Sequence, residues 1–266
     1  MTRRDCQGLP LTTASDAAVR HWDALVRAFL AHGRSTPEHL GRALTADPDF
    51  ALAWAAKGLF YLLLGRAELV APARDALAAA RGAADRQGLT PRAAAYLDAL
   101  AAWLSGRPSR SVRILEAHLS AMPEDALAMK LDHAIRFVLG DRKGMERMMR
   151  TLAPSYDFGH PHEGYARGCL AFALEEGGHY EEAEREGRAA LERAGDDAWG
   201  LHAVAHVYDM TARNETGIAW LTSRTGTWEH CNNFGYHVWW HLGLFHLDRR
   251  EYERVLELYD TRIRAE

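Results

Sequence analysis

Apolar residues along this chain recur every three to four positions, and no stretch shows sustained alternation. That period predicts amphipathic helices, here about 12–15 residues long and broken by Gly, Asp or Pro. The breaks themselves recur. Gly33, Gly65, Gly106, Gly140, Gly178, Ala212 and Arg250 each fall in a short turn between two predicted helices, at successive separations of 32, 41, 34, 38, 34 and 38 residues. The pattern predicts about seven antiparallel helix pairs, the first of them degenerate.

Residue types at fixed offsets within the period sharpen this. In A-W-A-A-K-G-L-F-Y-L-L-L-G, Trp54, Gly58, Tyr61 and Gly65 hold spaced aromatic and small places. In L-A-F-A-L-E-E-G-G-H-Y-E-E-A, Gly178, Tyr180 and Ala183 repeat the turn and the start of a second helix. Pro48 and Pro123 close repeats. Helix–turn–helix units with a period near 34 resemble tetratricopeptide repeats. The resemblance implies an all-α, right-handed superhelix in which each pair buries its faces against the next. With no linker or composition break, one domain spanning 1–266 is expected, with 1–13 as an N-terminal extension. Two longer loops stand out, 154–164 (PSYDFGHPHEG) and 224–235 (RTGTWEHCNNFG).

Composition narrows the partners. The chain has 266 residues, 48% hydrophobic and 26% charged, with a net charge of −4. That is ordinary globular material. No basic stripe of the kind nucleic acid requires is visible. The N-terminus lacks the apolar core of a signal peptide, and the longest apolar runs, such as 59–64, are far below a membrane span. Cys6, Cys169 and Cys231 form neither a disulfide framework nor a CxxC site, which points to a reducing compartment. A cytoplasmic protein that binds neither membrane nor nucleic acid is expected.

Histidine is where the chain departs from scaffold. Six of its fourteen histidines lie between positions 202 and 246. Two pairs are spaced i, i+4, H-A-V-A-H (His202, His206) and H-V-W-W-H (His237, His241), so each pair shares one helix face. In tetratricopeptide repeats the first helix of each pair lines the concave groove. With the turn residue as place fifteen, the groove-facing places are roughly two, five, six, nine, twelve and thirteen. By that resemblance His202, His206, Asp209, His237 and His241 face the groove. Tyr165, Cys169, Phe172, Glu175 and Glu176 join them from the preceding pair, and Trp240, together with Trp239, would frame them. His246 falls at a core place and His230 in a loop.

Three chemistries fit such a set. Four imidazoles from two neighbouring helices can ligate a divalent metal, with Asp209 as ligand or orienter. There is no HExxH motif. Metal-free acid–base work is a second option, with His206, His241 and Asp209 as catalytic groups and Cys169 or Cys231 as a nucleophile wherever a histidine touches it. The third is a binding groove without chemistry, holding a peptide or small polar ligand. The groove lacks the Lys and Asn of a carboxylate clamp. Glu175 and Glu176 read more simply as the solvated end of a helix.

A closer resemblance covers nearly the whole chain. The blocks E-G-Y-A-R-G-C-L-A-F-A-L-E-E, D-A-W-G-L-H-A-V-A-H-V-Y-D-M and Y-H-V-W-W-H-L-G-L-F-H-L-D-R-R-E-Y, with the final L-Y-D-T-R-I, resemble the tetratricopeptide repeat protein 38-like family. The segments L-T-T-A-S-D-A-A-V and A-D-P-D-F-A-L-A fit its first pairs. The resemblance implies the repeat fold and matches the histidine blocks, but it implies no known reaction. Family members run on for further repeats, whereas this sequence stops at Glu266. Its last pair would then lack a polar cap, and self-association or a partner chain is expected there.

Overall fold

The structure is a computed structural model that describes residues 2–157 and 159–264. Met1 of the expected extension, Phe158 of the first long loop, and the C-terminal Ala265 and Glu266 lie outside the described residues. Among those described, fourteen α-helices form seven consecutive pairs. They are α1 (Asp16–Leu30) with α2 (Thr36–Ala46), α3 (Ala51–Leu63) with α4 (Val70–Gln87), and α5 (Pro91–Leu104) with α6 (Pro108–Ala121). Next come α7 (Ala126–Val138) with α8 (Arg142–Leu152), and α9 (Glu163–Glu176) with α10 (Tyr180–Arg193). The last are α11 (Ala198–Met210) with α12 (Asn214–Thr222), and α13 (Phe234–Asp248) with α14 (Tyr252–Leu258). No helix among the described residues is long and apolar enough to cross a membrane.

The turn of each pair needs one residue in the left-handed region. Gly65, Gly106, Gly140 and Gly178 take it, as glycine does without steric penalty. Ala212 and Arg250 take it despite their side chains, at φ 55° and 61°. Six of the seven turn positions expected from the sequence are therefore the left-handed residues of the backbone. In the first pair the left-handed residue is His32, one position before Gly33. There Gly33 is engaged in an antiparallel bridge with Cys231.

The chain packs as two compact units. The first comprises residues 1–29 and 35–161, the second 30–34 and 162–266. In the first unit, the expected N-terminal extension is a small hairpin of β1 (Thr2–Arg4) and β2 (Pro10–Thr12). Strands of three residues are too short to show alternation, which is why the sequence pattern missed them.

A buried ionic network ties that hairpin to the helices. The Arg92 guanidinium donates to both carboxylate oxygens of Asp125 at 2.8 Å and to Asp5 at 2.6 Å. Asp125 also accepts from the Tyr96 hydroxyl, lies 2.9 Å from His118 Nε2, and caps the start of α7. Asp5 in turn accepts the backbone N–H groups of Gln7 and Leu9 inside the hairpin. Burial alone would raise the Asp125 carboxyl, but Arg92 and His118 outweigh it and hold it below its ordinary value. The folded carboxyl thus titrates below the unfolded one. Its contribution is fully present above about pH 4 and is lost as the pH falls.

Removing one partner of a buried pair leaves the other charge unpaired. Asp125→Asn is expected to destabilise the protein by about 3–5 kcal/mol. Its deficit should shrink as the pH is lowered below about 4. Denaturant unfolding at several pH values checks both; a loss under about 1 kcal/mol near neutrality would show that the network carries little.

Candidate functional site

The histidines sit in the second unit, on α11 and α13. The core beneath them is apolar. Leu201, Val204, Ala205 and Tyr208 of α11 meet Val238, Leu242 and Phe245 of α13, with Trp220 and Trp228 alongside. His202 and His206, and His237 and His241, stand beside these stripes and lean over the seam between the two helices.

What aligns α9 with them is a very close approach. A Cβ on Gly168 of α9 would lie 1.9 Å from the Asp197 carboxylate and 3.0 Å from the backbone N of Gly200. A Cβ on Gly200 would lie 3.1 Å from Cα of Gly168. Only glycine permits that crossing. It also leaves room for Asp197, which caps α11 by accepting from the N–H of Gly200 at 3.1 Å. One and two turns beyond Gly168, α9 presents Phe172 and Glu175 on the same face.

The four imidazoles converge through one kind of atom. Nε2 of His202 lies 2.9 Å from Nε2 of His206 and 2.9 Å from Nε2 of His237. Nε2 of His237 lies 3.1 Å from that of His241. The ligand atoms of all four residues fall within 4.8 Å of one another. His202 and His241 are buried, His206 is partly buried, and His237 is exposed. One wall is aromatic. The Trp199 ring stacks on His202 at 5.2 Å, Phe172 stacks on it at 5.8 Å, and Phe234 meets it edge-on at 5.2 Å. His32 stacks on Trp199 and Phe234 behind it.

Burial and crowding hold three of these rings, His202, His237 and His241, neutral. Burial, then the neighbouring His206, His241 and His237, push His202 well below 6.5. Burial, then His206 and His237, lower His241 to about 2. Burial and His206 also lower His237. Neutral rings then face a counting problem. Each Nε2 carries either a proton or a lone pair, so donors and acceptors must alternate along the series His206, His202, His237, His241. Two Nε2 protons must serve three contacts, and one proton is shared. The Nδ1 atoms of His202 and His241 are buried with no hydrogen-bond partner. A cation at the centre would use all four Nε2 lone pairs at once.

An acidic edge adjoins the cluster. Oε2 of Glu175 lies 3.4 Å from Nδ1 of His206. Glu175 is only 5% exposed, which corrects the expectation of a solvated helix end, at least for this residue. Glu175, Glu176 and His206 form a second set whose ligand atoms fall within 4.8 Å. Asp209 is partly buried, and its carboxyl is raised by burial and then by Asp248; His206 opposes the shift and Glu175 adds to it.

The other residues singled out from the sequence lie elsewhere or act differently. Trp240 is exposed, and Trp239 packs against Trp228 in the core. The rings against the histidines are instead Trp199, Phe172 and Phe234. The Tyr165 hydroxyl donates to Asp196 at 2.7 Å. Cys169 is 1% exposed, out of reach of a substrate. Cys231 lies 3.8 Å from His230 Nε2, yet burial and then Asp197 and Asp196 push its thiol up to about 12, so it is no ready nucleophile. His230 itself reaches the carbonyl of Ala31 at 2.9 Å. His246 is buried as expected, and its Nδ1 meets Glu251 at 2.5 Å. Of the residues that sequence reasoning overlooked, Trp199 was accessible, since it occupies the same repeat place as His237. Phe234 precedes the first place of its helix and carried no such signal.

These depressed imidazoles have a consequence for pH. In the unfolded chain they titrate near 6.5, while folded they stay neutral. Stability of the metal-free protein should therefore fall as the pH drops below 6.5, by about 1.4 kcal/mol per pH unit for each of His202 and His241. Nitrogen-15 NMR of the metal-free protein should show these two rings neutral at pH 5.5. Ordinary titration with midpoints near 6.5 would contradict the geometry.

No family model matches the sequence. Among solved structures, a tetratricopeptide repeat protein from Parabacteroides merdae ATCC 43184 is similar to this chain, with a TM-score of 0.51 at 16% sequence identity. The match covers 91% of this chain and 88% of that one. At this identity the likeness speaks to fold, and with the fourteen helices it gives the fold class: an all-α helical-repeat superhelix of the tetratricopeptide type.

Proposed function

We propose that this protein is a metal-binding helical-repeat module. Its Nε2 atoms of His202, His206, His237 and His241 take one divalent first-row transition ion. The observation that carries the reading is the convergence of four imidazole nitrogens, each about 3 Å from the next. Two nitrogens bound at about 2.0–2.1 Å to one tetrahedral zinc lie about 3.3 Å apart. The three consecutive contacts are within a few tenths of an ångström of that spacing, and all four atoms lie within 4.8 Å of one another. An all-imidazole set suits zinc, copper, nickel or iron and disfavours magnesium and calcium, which require oxygen.

The same geometry favours binding over catalysis. Four protein nitrogens fill a tetrahedral shell, whereas catalytic zinc sites keep a position open. His241, held neutral to about pH 2, is a poor general base at neutral pH, where a base works best with a pKa near the working value. The ligand of the histidine set is thus a cation, in place of the peptide or small polar molecule that a bare groove would hold. A partner chain on the repeat scaffold remains compatible with it. In kinship we keep the tetratricopeptide repeat protein 38-like reading, on the sequence blocks around these histidines.

The test is metal content and metal-linked stability of protein purified without chelator. Zinc or nickel at about 100 times its dissociation constant should add about 2.7 kcal/mol. For a chain of this size that is a rise in melting temperature of about 5–10 °C. The paired substitution His206→Gln with His237→Gln, at the less buried positions, should abolish the rise and leave the far-UV spectrum unchanged. No bound metal and no response to zinc, nickel, copper or cobalt would overturn the proposal.

A further inference from the structure

The acidic edge beside His206 is not needed for the four-nitrogen site, and it has its own geometry. We infer that Glu175, Glu176 and Nδ1 of His206 hold a second divalent cation, so that the His206 ring bridges two ions. The inference rests on the four-histidine reading, because that reading commits Nε2 of His206 inward and leaves Nδ1 facing outward.

Three observations support it. First, Oε2 of Glu175 and Nδ1 of His206 are 3.4 Å apart, longer than a good N–H···O bond. Two donor atoms each about 2.1 Å from a shared ion are about 3.0–3.4 Å apart. Second, Glu175 is buried, and its Oε2 makes no hydrogen bond. A buried carboxylate oxygen is normally paired or bound to metal, since leaving it bare is costly. Third, Glu175 and Glu176 close α9, where the negative end of the helix dipole favours a cation.

The chemistry balances simply. With Nε2 on the first ion, binding of the second ion at Nδ1 releases the proton of that nitrogen to solvent, and the His206 ring becomes an imidazolate bound at both nitrogens. No electron changes hands. Two carboxylates and one nitrogen make a harder set than four imidazoles, so the second site accepts manganese or iron more readily than its neighbour does and still binds zinc and copper(II). With three protein donors it keeps coordination positions open, unlike its neighbour.

The full-length chain, freed of metal and dialysed against zinc, decides the matter by stoichiometry. The expected result is about two zinc ions per chain, falling to about one in Glu175→Gln with Glu176→Gln. One ion in both proteins would overturn the second site and leave the four-histidine site standing. Two in both would overturn the assignment to these carboxylates. None in either would remove the four-histidine site and this one with it. Copper loading of the unaltered chain gives a check that needs no variant. Two copper(II) ions joined by an imidazolate couple, and the integrated electron paramagnetic resonance signal falls well below the copper content. A full signal from two independent coppers would contradict the bridge.

Discussion

The close crossing of α9 and α11 is the constraint on which the site depends. Gly168 and Gly200 let the two backbones approach, and the Asp197 carboxylate fills the gap while capping α11. Without that approach Phe172 would not reach His202, and Glu175 would not lie 3.4 Å from His206. A repeat scaffold is suited to this, because its rigid helix pairs fix the relative register of side chains on consecutive helices. The site needs no long loop and no irregular backbone.

Electrostatics then give the cluster its character. Burial, and then crowding among the histidines themselves, keep His202, His237 and His241 uncharged. Uncharged rings with convergent lone pairs cannot satisfy one another fully, which makes the arrangement poor as a hydrogen-bonded core and good as a ligand set. The neighbouring carboxylates place negative charge at the same end of the helices. Neutral nitrogen inside and acid outside is a combination that attracts cations and repels anionic ligands.

Much of this was legible in the sequence, for identifiable reasons. The turn residues were, because each needs left-handed backbone and the chain supplies glycine at four of them. The histidine pairs were, because i, i+4 spacing and a repeat register together give both a face and a neighbour. Glu175 was placed on the right face, but its burial was not visible, since burial depends on how closely α9 approaches α11. Trp240 and Trp239 were expected to frame the histidines; the helix instead turns Trp239 into the core and Trp240 out to solvent, and Trp199 stacks on His202. The hairpin at the N-terminus was invisible because its three-residue strands show no alternation, and the Asp5–Arg92 contact that ties it to the helices spans 87 residues of sequence.

The central claim is that four imidazole nitrogens share one metal ion. Zinc K-edge X-ray absorption on protein loaded with one equivalent of zinc tests it most directly. The account predicts a shell of about four nitrogens at about 2.0–2.1 Å, with the outer-shell scattering of imidazole rings. A shell dominated by oxygen or sulfur, or zinc without imidazole scattering, would contradict it.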